Sequence, residues 1–201
     1  MKKFFHDYSY SVVKMFINQI AIAIFGTSLT FATVSVHGDS NSFDTFTIIV
    51  SIFSACFYLF LIYNIAWEIG AKDKISVDVK KKPYRPYLGL VLSFLANIPN
   101  LILVTIYAAT SITGAESAKA LLRVVSSLFN GMYFGIMTVV RIPFGDEWIQ
   151  LGAFWVSFLI AILPAMITSE IAYYLGHRNF KFFGFITNKK PTISNERPNM
   201  K

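Results

Sequence analysis

The chain has 201 residues, a formal net charge of +7, and a composition that is 55% hydrophobic and only 14% charged. Soluble globular domains carry about 25% charged residues, and disordered chains combine low hydrophobicity with high charge, so the composition excludes disorder and argues against a soluble protein. The single cysteine excludes an intramolecular disulfide and cannot form a cysteine-based zinc site by itself.

Four long apolar segments contain no Lys or Arg, and each exceeds the roughly 20 residues that a helix needs to cross the hydrocarbon core. A backbone in lipid must satisfy its own hydrogen bonds, so such segments form helices. They cover residues 15–36, 46–69, 87–112 and 151–175. The sequence therefore predicts an all-α, polytopic helical membrane bundle with four full transmembrane helices.

The distribution of charge predicts three parts. Residues 1–14 hold three lysines and one aspartate and predict an interfacial N-terminal segment. Residues 15–176 form the predicted transmembrane domain. In residues 177–201, basic side chains alternate with phenylalanines, which predicts a cytoplasmic tail that contacts anionic lipid.

Basic flanks predict the orientation, because cytoplasmic loops carry the excess of Lys and Arg. Both termini and the loop 71–86 are basic, whereas the loop 37–45 has no Lys or Arg. We therefore expect both termini in the cytoplasm, with the chain in a bacterial plasma membrane. Termini on one side require an even number of crossings, so segment 117–141 is expected to insert only part way. A fifth full span is the alternative, because this segment is long enough to cross.

Segment 117–141 also carries a stripe of small residues. Ser127, Gly131 and Gly135 recur at every fourth position, and the two glycines form a GxxxG pattern. Small residues on one stripe let helices approach closely in lipid. We expect the stripe to pack within one subunit, with dimerisation as the alternative.

Prolines interrupt the third and fourth predicted spans. Pro99 lies between Asn97 and Asn100, and Pro164 lies near the middle of the last span. Proline removes an amide donor and kinks a helix. Broken spans with polar neighbours are typical of transporter sites, although such kinks also serve ordinary helix packing.

Two carboxylates lie in or at the end of apolar segments, and ionisable groups at that depth are costly enough to suggest function. Glu170 is the stronger candidate for proton-coupled transport, and Glu68 is the second. The structural alternative is an ion pair of Glu170 with His177, Arg178 or the basic loop. The hypothetical substrate or proton site comprises Glu170, Glu68, Asn64, Asn97, Asn100, Tyr174 and His177.

The sequence contains no H-E-x-x-H zinc motif, no nucleotide-binding P-loop and no G-x-S-x-G elbow. We therefore expect no catalytic residue, no metal site and no cofactor. The leading hypothesis is a small transporter or permease-like subunit for an unidentified small molecule or ion. The alternative is a non-catalytic assembly partner of a larger membrane complex. The expected partners are the bilayer and a membrane protein or a second copy, and no nucleic acid.

Overall fold

The computed structural model describes residues 2–36, 40–80, 83–145 and 147–180. Helices dominate these residues, and one short β-hairpin interrupts them. The helices are α1 (Lys2–Val36), α2 (Ser40–Asp78), α3 (Leu88–Ala96), α4 (Ile98–Thr113), α5 (Glu116–Phe129), α6 (Phe134–Val139), α7 (Trp155–Ile160) and α8 (Leu163–His177). The hairpin pairs β1 (Arg141–Phe144) antiparallel with β2 (Glu147–Gln150). Short 3₁₀ helices at Gly131–Tyr133 and Leu151–Ala153 lead into α6 and α7.

The prediction of an all-α membrane bundle is confirmed. Within the described residues, three stretches are long and apolar enough to cross a membrane, namely His6–Thr33, Thr45–Asp78 and Trp155–His177. Two further helix pairs reach the required length only together, and they bend by 57° between α3 and α4 and by 88° between α5 and α6. The number of crossings therefore depends on whether each bent pair spans the bilayer or returns.

The ends of the first two helices differ from their predicted bounds. α1 begins at Lys2, so the segment 1–14 continues into the first span without a break. α2 continues to Asp78, well beyond the predicted end at residue 69. Charged residues end a hydrophobic run but not a helix, because Lys and Glu are good helix formers. Residues 181–201, most of the predicted tail, lie outside the described residues.

Two polar contacts fix the antiparallel packing of α1 and α2. The Tyr8 hydroxyl donates to a carboxylate oxygen of Asp73 at 2.7 Å, near the start of α1 and the end of α2. The hydroxyls of Thr33 and Thr47 lie 3.0 Å apart at the opposite end. We call the first the basic end, because Asp73 lies within the basic segment 71–86, and the second the hairpin end.

The remaining spans run between the same two ends. The Ser169 hydroxyl donates to the Gly89 carbonyl oxygen at 2.8 Å, one turn before Tyr173, which reaches the Asp73 carboxylate at the basic end. The Tyr107 hydroxyl donates to the Ala153 carbonyl oxygen at 2.9 Å. α3 with α4 therefore leaves the basic end, and α7 with α8 returns to it.

The segment from α5 to α6 enters and leaves at the hairpin end. Asn130 lies at its tip. Before the tip, the Arg123 guanidinium donates to the Gln150 side-chain oxygen at 2.8 Å, beside the hairpin. After it, Met137 packs against Gly152. Because both flanks contact the segment that precedes α7, residues 116–139 form a re-entrant element, an arrangement that is compatible with four crossings.

Glycines hold the tip of this re-entrant element against the bundle. A side chain at Gly131 would run into the Ala23 carbonyl oxygen of α1, and one at Gly135 would meet the Thr47 carbonyl oxygen of α2 at 2.5 Å. Ser127 lines a groove between α5 and α1. Gly131 and Gly135 therefore serve close contacts inside one chain, whereas Ser127 borders an open groove.

Cysteine labelling tests this arrangement. In a Cys56→Ala background, cysteines replacing Glu116 and Glu147 are expected to react with an impermeant maleimide from the same side of sealed vesicles. A cysteine replacing Asp78 is expected to react only from the opposite side. The re-entrant element would be disproved by Glu116 and Glu147 positions that react from opposite sides, because that result requires a fifth crossing.

Candidate functional site

A pair of amides lies inside the bundle where the re-entrant tip contacts α4. The side chains of Asn100 and Asn130 donate to each other's oxygens, both at 3.1 Å, and each residue is only 1% exposed. Asn130 also donates to the Ser126 carbonyl oxygen at 2.9 Å. An unpaired amide in an apolar interior loses its hydrogen bonds to water without replacement, so this reciprocal pairing lets the tip enter the bundle.

The break between α3 and α4 lies beside this pair. Asn97 stands at the bend, where its side-chain amide donates to the Ser93 carbonyl oxygen at 2.9 Å and contacts Tyr58 of α2. Pro99 lies in the first turn of α4, where a missing N–H group breaks no helical hydrogen bond. The proline therefore starts a new helix, and Asn97, Asn100 and Asn130 form what we call the amide cluster.

The junction between α7 and α8 keeps a helical backbone, because Ala161 and Ile162 both have right-handed helical angles. Residues 161–162 separate the two helices, and Pro164 again lies in the first turn of the second helix. On one side, the Phe158 ring packs against the Tyr107 ring with centroids 6.0 Å apart, near the hairpin end. On the other side, Ser169 bonds to α3. The last span therefore continues past Pro164 as one stretch, Trp155–His177, and within the described residues the sharp bends are those of the third span and of the re-entrant element.

Several buried polar atoms have no hydrogen-bond partner within the part of the chain that the structure describes. Native proteins satisfy most such groups, so each exception marks a place where water or a polar ligand can bind. These atoms are Gln19 Oε1, Ser93 Oγ, Ser126 Oγ, Tyr133 OH and His177 Nε2. The backbone carbonyl oxygens of Ser93 and Ser126 accept hydrogen bonds from Asn97 and Asn130. The hydroxyl groups of the same two serines therefore lie beside the amide cluster and can still donate or accept a hydrogen bond.

A second polar cluster joins three helices at the basic end. The Tyr8 hydroxyl lies 2.7 and 3.0 Å from the two oxygens of Asp73, and the Tyr173 hydroxyl lies 3.4 Å from one of them. Asp73 is 8% exposed. Charged groups are buried only when they are paired or hydrogen-bonded, and the two phenols supply those bonds. The carboxylate therefore ties α1 and α8 to α2.

Sequence reasoning missed Asp73 because it was grouped with the basic loop 71–86. The helical periodicity of α2 could have indicated it. Buried residues recur on one face of this helix at Ile62, Ile65, Ile69 and then Asp73. Continuing that period past the last apolar residue would have placed the carboxylate on the buried face.

A groove of about 400 Å³ opens beside this cluster, between α1 and α2. Side chains of both charge signs line it, and one pair, Glu68 and Lys72, forms a salt bridge of 2.6 Å. Its charged residues are Asp7, Lys14, Glu68, Lys72 and Asp73. The volume lies within the range of small-molecule sites, and the mixed charge suits a ligand that carries both an ammonium and a carboxylate group. We call this feature the charged groove.

Glu170 bonds to the backbone of a neighbouring helix. The Leu90 N–H group donates to Glu170 Oε2 at 3.0 Å, in the first turn of α3. A carboxylate is stabilising at that position, because the first N–H groups of a helix lack internal partners and carry positive partial charge. Among the described residues, no hydrogen bond or salt bridge joins Glu170 to Tyr174 or His177.

The other predicted site residues are dispersed. The His177 ring packs against Tyr84 with centroids 4.5 Å apart, and the Arg178 guanidinium lies over the Tyr174 ring at 4.7 Å. Asn64 is exposed and donates to the carbonyl oxygen one turn earlier in its own helix, at 2.8 Å. Of the predicted set, the structure brings together only the two asparagines of the broken third span, and it adds Asn130.

Comparison with protein-family models, curated proteins and solved structures gives no match to this chain. Within the described ranges, no group of three or more His, Cys, Asp or Glu side chains is arranged to hold a metal ion.

Proposed function

We propose that the chain is a small transporter or the membrane-embedded subunit of a permease, and that it moves a small polar solute. The supporting observation is that the third span bends by 57° at Asn97, and that one turn later it meets the re-entrant tip through the buried pair of Asn100 and Asn130. In membrane proteins, unwound backbone at mid-depth is tolerated where it lies inside protein or lines a cavity, and transporters bind their substrates at such breaks.

The charged groove suggests where the solute enters and what it carries. The basic flanks place this groove at the cytoplasmic face in our proposal, with both termini on the same side of a bacterial plasma membrane. Side chains of both charge signs line the groove, and the Glu68–Lys72 salt bridge would exchange its partners for the charged groups of a bound solute. Amino-acid-like zwitterions are therefore the first class of solute to test.

The assembly-partner alternative was based on the small-residue stripe and on the basic segment 71–86. Gly131 and Gly135 pack against α1 and α2 of the same chain, so they no longer favour contact with a second protein. The alternative remains a prediction without a supporting contact.

Reconstitution tests the proposal. Proteoliposomes of the full chain are expected to show saturable uptake of at least one amino acid from a panel of acidic, neutral and basic members. The double variant Asn100→Leu/Asn130→Leu should fold, because it removes both amides together, but it should lose uptake, because the buried polar groups at the meeting point of the third span and the re-entrant tip are gone. Asn64→Leu is the matched control and should keep uptake. Folded wild-type protein that moves no member of the panel, and that purifies with a stoichiometric partner, would instead support the assembly role.

The role of Glu170 can be separated in the same assay. Glu170→Gln keeps an oxygen acceptor for the Leu90 N–H group, so we expect little loss of stability. If Glu170 couples transport to protons, this variant loses the pH dependence of uptake. An unchanged pH response would leave Glu170 as a helix cap alone.

A further inference from the structure

A second groove, of about 490 Å³, opens at the hairpin end between α1 and the re-entrant element. Apolar side chains form most of its walls, and Ser127 provides room at its floor. Phe31 and Phe134 close one side, with ring centroids 5.8 Å apart. Val124 and Leu128 border it on α5 and are 57% and 46% exposed. On a transmembrane bundle, such an apolar opening faces lipid acyl chains.

The only charged side chain that lines this groove among the described residues is Arg123. The Gln150 side chain holds its guanidinium at 2.8 Å, and Arg141 lies directly opposite Gln150 in the hairpin. Cross-strand partners lie on one face with Cβ atoms about 4.5–5.5 Å apart. Arg123 therefore lines the groove, and Arg141 is the cross-strand neighbour of the glutamine that holds Arg123. Neither arginine forms a salt bridge with another described residue.

The depth of these groups matches a phospholipid. Trp148 on the same hairpin is 67% exposed, and tryptophan favours the headgroup region of a bilayer. From Arg123, α5 runs inward to the buried Asn130, so the apolar walls continue from the headgroup level toward the bilayer centre. The cationic mouth lies at the level of lipid phosphates, and the apolar part lies at the level of acyl chains.

We propose that this groove binds an anionic phospholipid of the surrounding bilayer. The guanidinium of Arg123 contacts the lipid phosphate, and Arg141 adds a second positive charge. One acyl chain lies between Phe31 and Leu128. Arginine suits this contact because its planar fork matches two phosphate oxygens. The site is separate from the charged groove and does not depend on transport.

Native mass spectrometry of the detergent-purified full chain tests the site, with phosphatidylglycerol and phosphatidylcholine as probes. We expect one phosphatidylglycerol to bind in preference to phosphatidylcholine. Arg123→Gln should weaken that binding about tenfold, the loss typical of one charge-assisted hydrogen bond. Arg178→Gln, which removes an arginine at the other end of the bundle, should leave it unchanged. Equal binding of the two lipids, or unchanged binding to Arg123→Gln, would overturn the proposal.

Two further variants test whether weaker binding by Arg123→Gln reflects a folding defect instead of the loss of the lipid contact. Arg123→Lys keeps the charge and should retain binding to within a fewfold, whereas Ser127→Phe keeps every charge and fills the groove. Ser127→Phe should therefore weaken phosphatidylglycerol binding while the circular dichroism spectrum stays that of the wild type. A folded Ser127→Phe protein that binds this lipid as tightly as the wild type would refute the placement of the acyl chain.

Discussion

Replacing Gly70 or Gly176 with alanine is expected to lower the unfolding temperature of the detergent-solubilised protein substantially. α2 and α8 touch backbone to backbone at these positions. A methyl group at Gly70 would run into the Tyr173 carbonyl oxygen, and one at Gly176 would run into the Trp67 carbonyl oxygen. Backbone cannot move aside as a side chain can, so the helices must separate. Overpacking of this kind costs about 1–3 kcal/mol.

Gly152→Ala serves as a control for these two variants, because it introduces the same methyl group at a less crowded position. Its methyl group would lie 3.1 Å from the Met137 carbonyl oxygen, a tight contact that a small local shift relieves. Thermal melting in one detergent should therefore give a clearly smaller loss for Gly152→Ala. If Gly70→Ala melts at the wild-type temperature, the close approach of α2 and α8 is wrong.

Replacing either Asn100 or Asn130 with leucine is expected to destabilise the protein, and replacing both is expected to cost less than the sum. Each single change leaves the opposite amide buried without its partner, which costs about 1–3 kcal/mol. The double change removes both amides, so no unpaired group remains. Residues that share one hydrogen-bond network typically show coupling energies of about 0.5–3 kcal/mol.

Denaturant unfolding of the two single variants and the double variant measures this coupling directly. Asn64→Leu is the control, because Asn64 is exposed and bonds only to its own helix, at 2.8 Å. We expect that change to be nearly neutral. Strictly additive effects of the changes at Asn100 and Asn130 would mean that the two amides do not depend on each other.

Composition and charge were sufficient to predict the class of fold, because the cost of placing charge and unsatisfied backbone in lipid acts on every residue of a span. The cation-free segments 87–112 and 151–175 became the spans of α3–α4 and α7–α8, nearly within their predicted bounds. The same reasoning failed at the end of α2. The segment predicted from hydropathy ends at the last apolar residue. The helix itself continues to Asp78 and has Asp73 on its buried face.

The residues of the candidate site were harder to predict from the sequence than the fold. Pro99, Asn97 and Asn100 marked the broken third span, but Asn130 belonged to a different segment and had no local signal. Glu170 stood out as a costly carboxylate in an apolar run. Its partner, the Leu90 N–H group, is backbone, and no pattern of side chains can indicate a backbone donor.

The amino-acid sequence by itself determined that this chain forms apolar helices of membrane-spanning length, because hydration costs are local and depend on residue type. Only the tertiary structure decided that residues 116–139 turn back, that two distant asparagines pair, and that Asp73 is buried between two tyrosines. These three features depend on contacts between segments that are far apart in the chain. Such contacts cannot be predicted from the sequence of either segment alone.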